Sequence, residues 1–281
     1  MLMAEAGRKL SSASESSDDA GKSCPSNALV TMKGAHMARG TVAVTIWPLA
    51  VSPPRLAALH AMLSSDEQAR VAKMRMQAVA QEFIASRGVA RELLATRCGC
   101  APADVVFSAG ANGKPYLQHP RSGITFSLAH SGGFCALAIG SVASIGVDIE
   151  AVRPDVGDLA ESIFGLREDA QFAAIPQTAQ MEAFFRAWVL KEAYLKATGE
   201  GLAGGLQSLE LDLAAVSDIR PVAIRGIGAA LALWQFHGFD VDDAIVGAVA
   251  IDAGGAAVEI EVRHTDAEHG LHRASQTALS P

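Results

Sequence analysis

Two short segments hold side chains whose types and spacing suit chemistry on a charged substrate. In Gly146-Val-Asp-Ile-Glu150, apolar Val147 and Ile149 alternate with Asp148 and Glu150. At the end of a strand, such alternation sends both carboxylates from one face. Adjacent acids repel, so they need solvent or a cation between them. A hard ion such as Mg²⁺, held by carboxylates, waters and substrate phosphates, suits that donor set. Taken alone, the same residues also read as two solvated acids on an exposed strand.

The second segment, Trp188-Val-Leu-Lys-Glu-Ala-Tyr-Leu-Lys196, runs on to Gly199-Glu-Gly-Leu202. Trp188, Glu192 and Lys196 stand four residues apart and therefore form one stripe along a helix. A core tryptophan followed by a surface ion pair explains the stripe but not Gly199 and Gly201, which make a tight exit from the helix. A carboxylate beside a metal can take a proton, and a lysine one turn on can stabilise a departing phosphate.

The elements that must position these groups follow from periodicity. Residues 41–48 alternate like a strand, and Pro53-Pro54 open a helical stretch reaching about Leu63. Ser64 or Ser65 can cap the next helix, with Asp66 and Glu67 in its first turn. A helix over about 79–97 follows, then strand-like runs at 104–108, 124–129, 134–139 and 143–149. The second half repeats the scheme: a helix at about 178–197, then runs near 208–213, 220–224, 229–236, 244–251 and 257–262. The expectation is an α+β fold. Residues 1–40 read as a disordered extension, 41–142 and 143–263 as two similar α+β subdomains, and 264–281 as a flexible tail.

Composition limits the partners. The 281-residue chain is half apolar with a net charge of −7, so no global basic field gathers nucleic acid or an anionic membrane. A Mg²⁺-dependent nuclease built on the same acids and Lys196 would need a basic groove, which this balance argues against. No apolar run reaches the roughly 18–20 residues of a membrane span, and the start lacks the apolar core of a signal peptide. A soluble cytoplasmic protein is expected. Cys24, Cys98, Cys100 and Cys135 have no metal-binding spacing and read as reduced thiols.

GVDIE followed about forty residues later by WVLKEAYLKATGEGL resembles the paired signature of 4′-phosphopantetheinyl transferases, in the Sfp type that carries both halves in one chain. Leu63-Ser-Ser-Asp-Glu67, the Phe83–Arg91 stretch, Asn112-Gly-Lys-Pro115 and Phe126-Ser-Leu-Ala-His-Ser-Gly132 extend the likeness from about residue 41 to 262. Ser127 stands where the family usually has Asn, and Ala129 where it usually has Ser. The resemblance implies two α+β subdomains in a pseudo-twofold arrangement, with coenzyme A in the cleft between them. The reaction it implies moves 4′-phosphopantetheine to a serine of an apo acyl or peptidyl carrier protein, by a monomer acting without nucleic acid or membrane. By residue-wise match, Asp148, Glu150 and Glu192 would hold Mg²⁺. Glu192 would take the serine proton directly or through water, and Lys196 would serve the leaving phosphate. Lys114 and His130 would grip the coenzyme's 3′-phosphate and neighbouring groups, and the phosphate contact that Ala129 cannot make would be either missing or supplied by Ser131. Arg70, Lys73, Arg87 and Arg91 add local positive charge. Arg70 is expected to touch the ligand, while Arg87 and Arg91 either do so or pair structurally with acids.

Overall fold

The structure is a computed structural model that describes residues 40–110, 112–154, 163–201, 205–226 and 230–268. The expected N-terminal extension, residue 40 apart, lies outside the described residues, as does the tail from 269 onward. The fold is α+β. Its first half holds strand β1 (Thr41–Pro48), helices α1 (Pro53–Ala61), α2 (Ser65–Ala72) and α3 (Gln77–Cys98), and strands β2 (Val106–Ala109), β3 (Pro115–His119), β4 (Thr125–Ser131) and β5 (Phe134–Gly140). The second half holds β6 (Ser144–Ala151), α4 (Leu166–Ala174), α5 (Gln177–Thr198), β7 (Leu209–Asp212), β8 (Arg220–Ile224), β9 (Trp234–Asp242), β10 (Ile245–Asp252) and β11 (Glu259–His264).

Alternating side chains give each main sheet two apolar faces, and the layers follow from that. In β5, Cys135, Leu137 and Ile139 pack with α3 residues Val89, Leu93 and Leu94, while Ala136 and Ala138 face the opposite way. That opposite face meets Ile145, Val147 and Ile149 of β6 and Val249 and Ile251 of β10 in a central core. The other face of β10, through Val246, Ala248 and Ala250, packs under α5. The order is therefore helix, sheet, sheet, helix. The first sheet runs β11-β1-β5-β4 and the second β6-β10-β9, with β2-β3 and β7-β8 as separate hairpins.

Capping chemistry starts α2 as its sequence requires. The Ser64 hydroxyl accepts from Glu67 N–H, and the Glu67 carboxylate accepts from Ser64 N–H. Both 22-residue helices end on a glycine in the left-handed region, Gly99 and Gly199.

Two expectations about boundaries change. β11 pairs in parallel with β1, from Thr41↔Glu259 to Ile46↔His264, so the last strand of the second half completes the sheet of the first. The segment expected to loosen from residue 264 stays packed through 268. Ala267 is buried, and the Glu268 carboxylate accepts from the Ser52 hydroxyl at 2.8 Å at the start of α1. A polar composition read as a tail because its few apolar contacts are all distant in sequence.

Candidate active site

β6 lies between two different partners. On one side it forms an antiparallel ladder with β10, from Ser144↔Asp252 to Ala151↔Ile245. On the other side two serines of β4, four residues apart, join it to the first sheet. The Ser127 hydroxyl accepts from Val147 N–H at 3.0 Å, and the Ser131 hydroxyl accepts from Ala151 N–H at 3.2 Å. The substituted Ser127 thus holds the carboxylate strand in register. The Ser131 hydroxyl also donates to Glu150 Oε2 at 2.8 Å, which ties that acid to β4.

α5 crosses β6 very closely because Gly146 lacks a side chain. A Cβ there would lie 2.0 Å from Ala193 O and 2.5 Å from Ala197 N. Two residues on, on the same side of the strand, Asp148 meets the helix stripe identified from spacing. Its Oδ1 accepts from Lys196 Nζ at 2.6 Å. Its Oδ2 is buried and has no hydrogen-bond partner. Burial pushes the Asp148 pKa up to about 7, against the pull of Lys196, and Glu150 and Glu192 push it the same way. Half-buried Glu192 is raised as well, first by desolvation and also by Glu150, while Lys196 lowers it.

Asp148, Glu150 and Glu192 therefore share one electrostatic neighbourhood with a single ammonium. No set of three His, Cys, Asp or Glu side chains among the described residues stands close enough to enclose a metal unaided. The donor chemistry nevertheless fits a hard divalent cation. It offers carboxylate oxygens only, and one of them is a desolvated orphan whose ionised form is costly without a positive partner.

His130 lies on β4 between Ala129 and Ser131. Its pKa is lowered by desolvation, then by Lys196 and Arg87, against Glu82 and Glu150, which places it electrically between α3 and the acids. Lys114 sits elsewhere. Its ammonium donates to Ala197 O at 2.6 Å, Ser144 Oγ at 2.9 Å and Ile145 O at 3.2 Å, fastening the β2–β3 turn to the end of α5 and the start of β6. Asn112 supports the same junction by donating to Gly199 O at 3.0 Å. Burial lowers the Lys114 pKa to about 8. Beside this junction opens a cavity of about 600 Å³ lined by Asn112, Lys114, Tyr116, Arg121, Phe126 and Thr198.

Arg70 lies over the Phe83 ring, 5.0 Å from its centroid. Arg91 resolves to the structural alternative. It is buried, bonds Glu67 at 2.7 Å, and donates to Val105 O at 2.6 Å and Pro102 O at 3.2 Å. Spacing alone missed the structural work of Ser127, Gly146 and Lys191. Only Gly146 had a local signal: a glycine in a strand next to a helix-facing acid marks close backbone approach.

Known proteins resemble this chain in sequence across both halves. Residues 50–141 match the sequence model described as "4′-phosphopantetheinyl transferase, N-terminal", and residues 144–250 that of the 4′-phosphopantetheinyl transferase superfamily. The chain is 35% identical over 214 residues to the 4′-phosphopantetheinyl transferase HetI of Nostoc sp., covering 74% of this chain and 87% of that protein. It is 32% identical over 123 residues to a 4′-phosphopantetheinyl transferase of Bacillus subtilis, covering 44% and 54%. With the L-aminoadipate-semialdehyde dehydrogenase-phosphopantetheinyl transferase of Pongo abelii it shares 27% identity over 163 residues, covering 54% and 53%. The chain belongs to the 4′-phosphopantetheinyl transferase family of enzymes.

Proposed function

We propose that this enzyme transfers 4′-phosphopantetheine from coenzyme A to a serine hydroxyl of an apo acyl or peptidyl carrier protein. Adenosine 3′,5′-bisphosphate is the second product. The observation that carries this reading is Asp148, desolvated and paired on one oxygen with Lys196 while the charges of Glu150 and Glu192 both push its pKa up. Asp148, Glu150 and Glu192 would hold Mg²⁺, which supplies charge neutralisation at the pyrophosphate when bound.

The chain's own groups do the rest. Glu192 accepts the proton of the carrier serine, directly or through one water, and its raised pKa makes it a better proton acceptor than a free glutamate. The serine oxygen then forms a bond to the phosphorus bearing the pantetheine arm, and the bridging oxygen of the pyrophosphate leaves with the bisphosphate. Lys196, held at the site by Asp148, faces the negative charge that grows on that leaving group. The cavity beside Lys114, with Tyr116 and Phe126 among its walls, suits the planar purine. The Lys114 ammonium supports this cavity from inside rather than reaching for phosphate.

No described helix is long and apolar enough to cross a membrane. We place the reaction in the cytoplasm, where a monomer meets free coenzyme A and carrier proteins. Incubation with coenzyme A, Mg²⁺ and an apo carrier protein should add the mass of one phosphopantetheine to the carrier. No gain on a panel of acyl and peptidyl carriers would overturn the proposal.

Ser131 offers a second check. Ser131→Ala removes the hydroxyl that donates to the Glu150 carboxylate while leaving the apolar core untouched. Outer partners of a metal ligand are worth about 10–100-fold in metal affinity. A rise of that size in the Mg²⁺ Kd, read by calorimetric titration, is expected together with a small change in Tm. An unchanged Kd would show that Glu150 is oriented without Ser131.

A further inference from the structure

Each main sheet ends on a strand edge, and two of those edges meet beside the acids. β4 closes the order β11-β1-β5-β4 and β6 opens the order β6-β10-β9, so among the described residues no backbone ladder joins them. Ser127 and Ser131 span the gap instead. Each hydroxyl accepts the N–H that lies 20 residues further on, Val147 at 3.0 Å and Ala151 at 3.2 Å. The equal offset means that the two strands run parallel. The hydroxyls stand where carbonyl oxygens stand in a sheet.

These two rungs bracket the carboxylates. Val147 and Ala151 are about 13 Å apart at the rise of a strand, and Asp148 and Glu150 lie between them. Backbone direction and side-chain face both alternate along β6. Val147, Ile149 and Ala151 therefore aim their N–H groups at β4, while Gly146 and Asp148 meet α5. A slip by one residue would exchange the two faces. The seat is also tight from above, because the backbone of α5 fills the space that a Cβ on Gly146 would need. The helix thus limits movement toward itself, and the serines limit movement along β4.

The rungs are not equivalent. Ser131 bonds Glu150 directly. Ser127 is 6% exposed, and its bond to Val147 N–H is buried. It acts on Asp148 only through the peptide that precedes that acid. Midway, the same offset sets Ala129 level with Ile149, and Ala129 has no side-chain oxygen to offer. The carboxylate strand therefore hangs on its two outer rungs. Loss of Ser127 would free the half that carries Asp148 and leave Val147 N–H buried without its acceptor.

We propose that Ser127 is a positioning residue for the transfer reaction, its hydroxyl fixing the height of Asp148 against Lys196 and against the divalent cation that the acids would hold. The assignment rests on the metal reading above.

The test compares wild type, Ser127→Ala, Ser127→Cys, Ser127→Thr and Thr125→Val in the full-length protein. Thr125 is the control, a β4 hydroxyl that lies 3.2 Å from Gly140 O and 2.7 Å from Val142 O and so ties β4 to groups outside β6. The Mg²⁺ Kd is read by calorimetric titration with coenzyme A present and no carrier, alongside Tm, kcat and the KM for coenzyme A. Ser127→Ala should weaken Mg²⁺ binding about 10-fold. Its kcat should fall by about 10- to 100-fold, the scale of a misplacement near 1 Å, with a smaller change in KM. Cysteine keeps the volume but accepts poorly, so Ser127→Cys should follow alanine, whereas Ser127→Thr keeps the hydroxyl and should stay near wild type. Thr125→Val should lower Tm and leave the Mg²⁺ Kd unchanged. A folded Ser127→Ala with wild-type Kd and kcat overturns the assignment alone, as does an equal loss of Mg²⁺ affinity in Thr125→Val. Should Ser127→Ala fail to fold, wild-type Kd and kcat in Ser127→Cys overturn it equally. Absence of Mg²⁺ binding by wild type overturns the metal reading and this assignment with it.

Discussion

Glu192→Gln is expected to lower kcat by about 10²–10⁴-fold, the range that a positioned general base contributes, while Tm stays close to wild type. Glu192 is half-buried, and among the described residues no hydrogen bond ties its carboxylate into the fold. Removing its charge relieves repulsion from Glu150, one of the causes that raise its own pKa. Asp148→Asn should also cost orders of magnitude, for another reason. The amide keeps the shape but loses the charge that holds Lys196 at 2.6 Å, and it leaves the ammonium facing no formal partner there. Its Tm should move little, because the acid's ionised form is itself opposed by burial. Glu192 should be the worse of the two, since it serves as base as well as ligand. Single-turnover rates at limiting Mg²⁺ with saturating coenzyme A provide the measurement. Wild-type-like turnover in either variant would remove that residue from the chemistry.

These two acids were legible because each lies on a clean period. Alternation in GVDIE and four-residue spacing from Trp188 to Lys196 need only one element apiece, and the fold merely brings the two elements together at Gly146. The same holds for β1, whose alternation defines its limits at 41–48, and the strand-like run at 220–224 coincides with β8. Weak or competing patterns did worse. The apolar run before Trp234 reads as strand, yet Leu231–Leu233 form a single 3₁₀ turn and β9 extends to Asp242 through polar positions of an edge strand. β3 begins on a proline and has little buried surface, so it carries no signal beyond its turn. α4 went unseen because it is short and starts on Leu166, which points into solvent.

Lys114 shows a different limit. A lysine in a Gly-Lys-Pro turn looks available for a ligand, but its closest acceptor, Ala197 O, is 83 residues away. No local pattern reports such a partner. β11 is the same case at the level of a strand: its period is plain, but its pairing with β1 is a fact of topology.

Lys191, one residue before the proposed base, should give the largest loss of stability in the molecule. It reads as one more helix lysine, yet its side chain is 0% exposed. Its ammonium meets Glu168 Oε1 at 2.7 Å and donates to Leu209 O at 2.5 Å and Leu206 O at 3.1 Å. Glu168 in turn accepts from Gly165 N–H at 2.8 Å and from Leu211 N–H at 2.9 Å. Burial lowers the lysine's pKa, and the bond and charge of Glu168 restore part of it. Breaking a buried pair from one side costs about 3–5 kcal/mol, so Lys191→Ala should lower Tm by on the order of 6–20 °C for a chain of this size. Replacing an isolated buried pair by two apolar residues is often harmless. Here it should not be, because Lys191→Met with Glu168→Leu strips partners from Leu206 O, Leu209 O, Gly165 N and Leu211 N together. Each orphaned backbone group costs about 1–3 kcal/mol, so the double variant should stay well below wild type in thermal and urea unfolding. Its kcat, measured well below the lowered Tm, should fall far less than that of Glu192→Gln, since Lys191 touches neither Asp148 nor Lys196. A double variant as stable as wild type would show that the pair carries no backbone of its own. The ends of α4 and β7 would then be held against α5 by apolar packing alone.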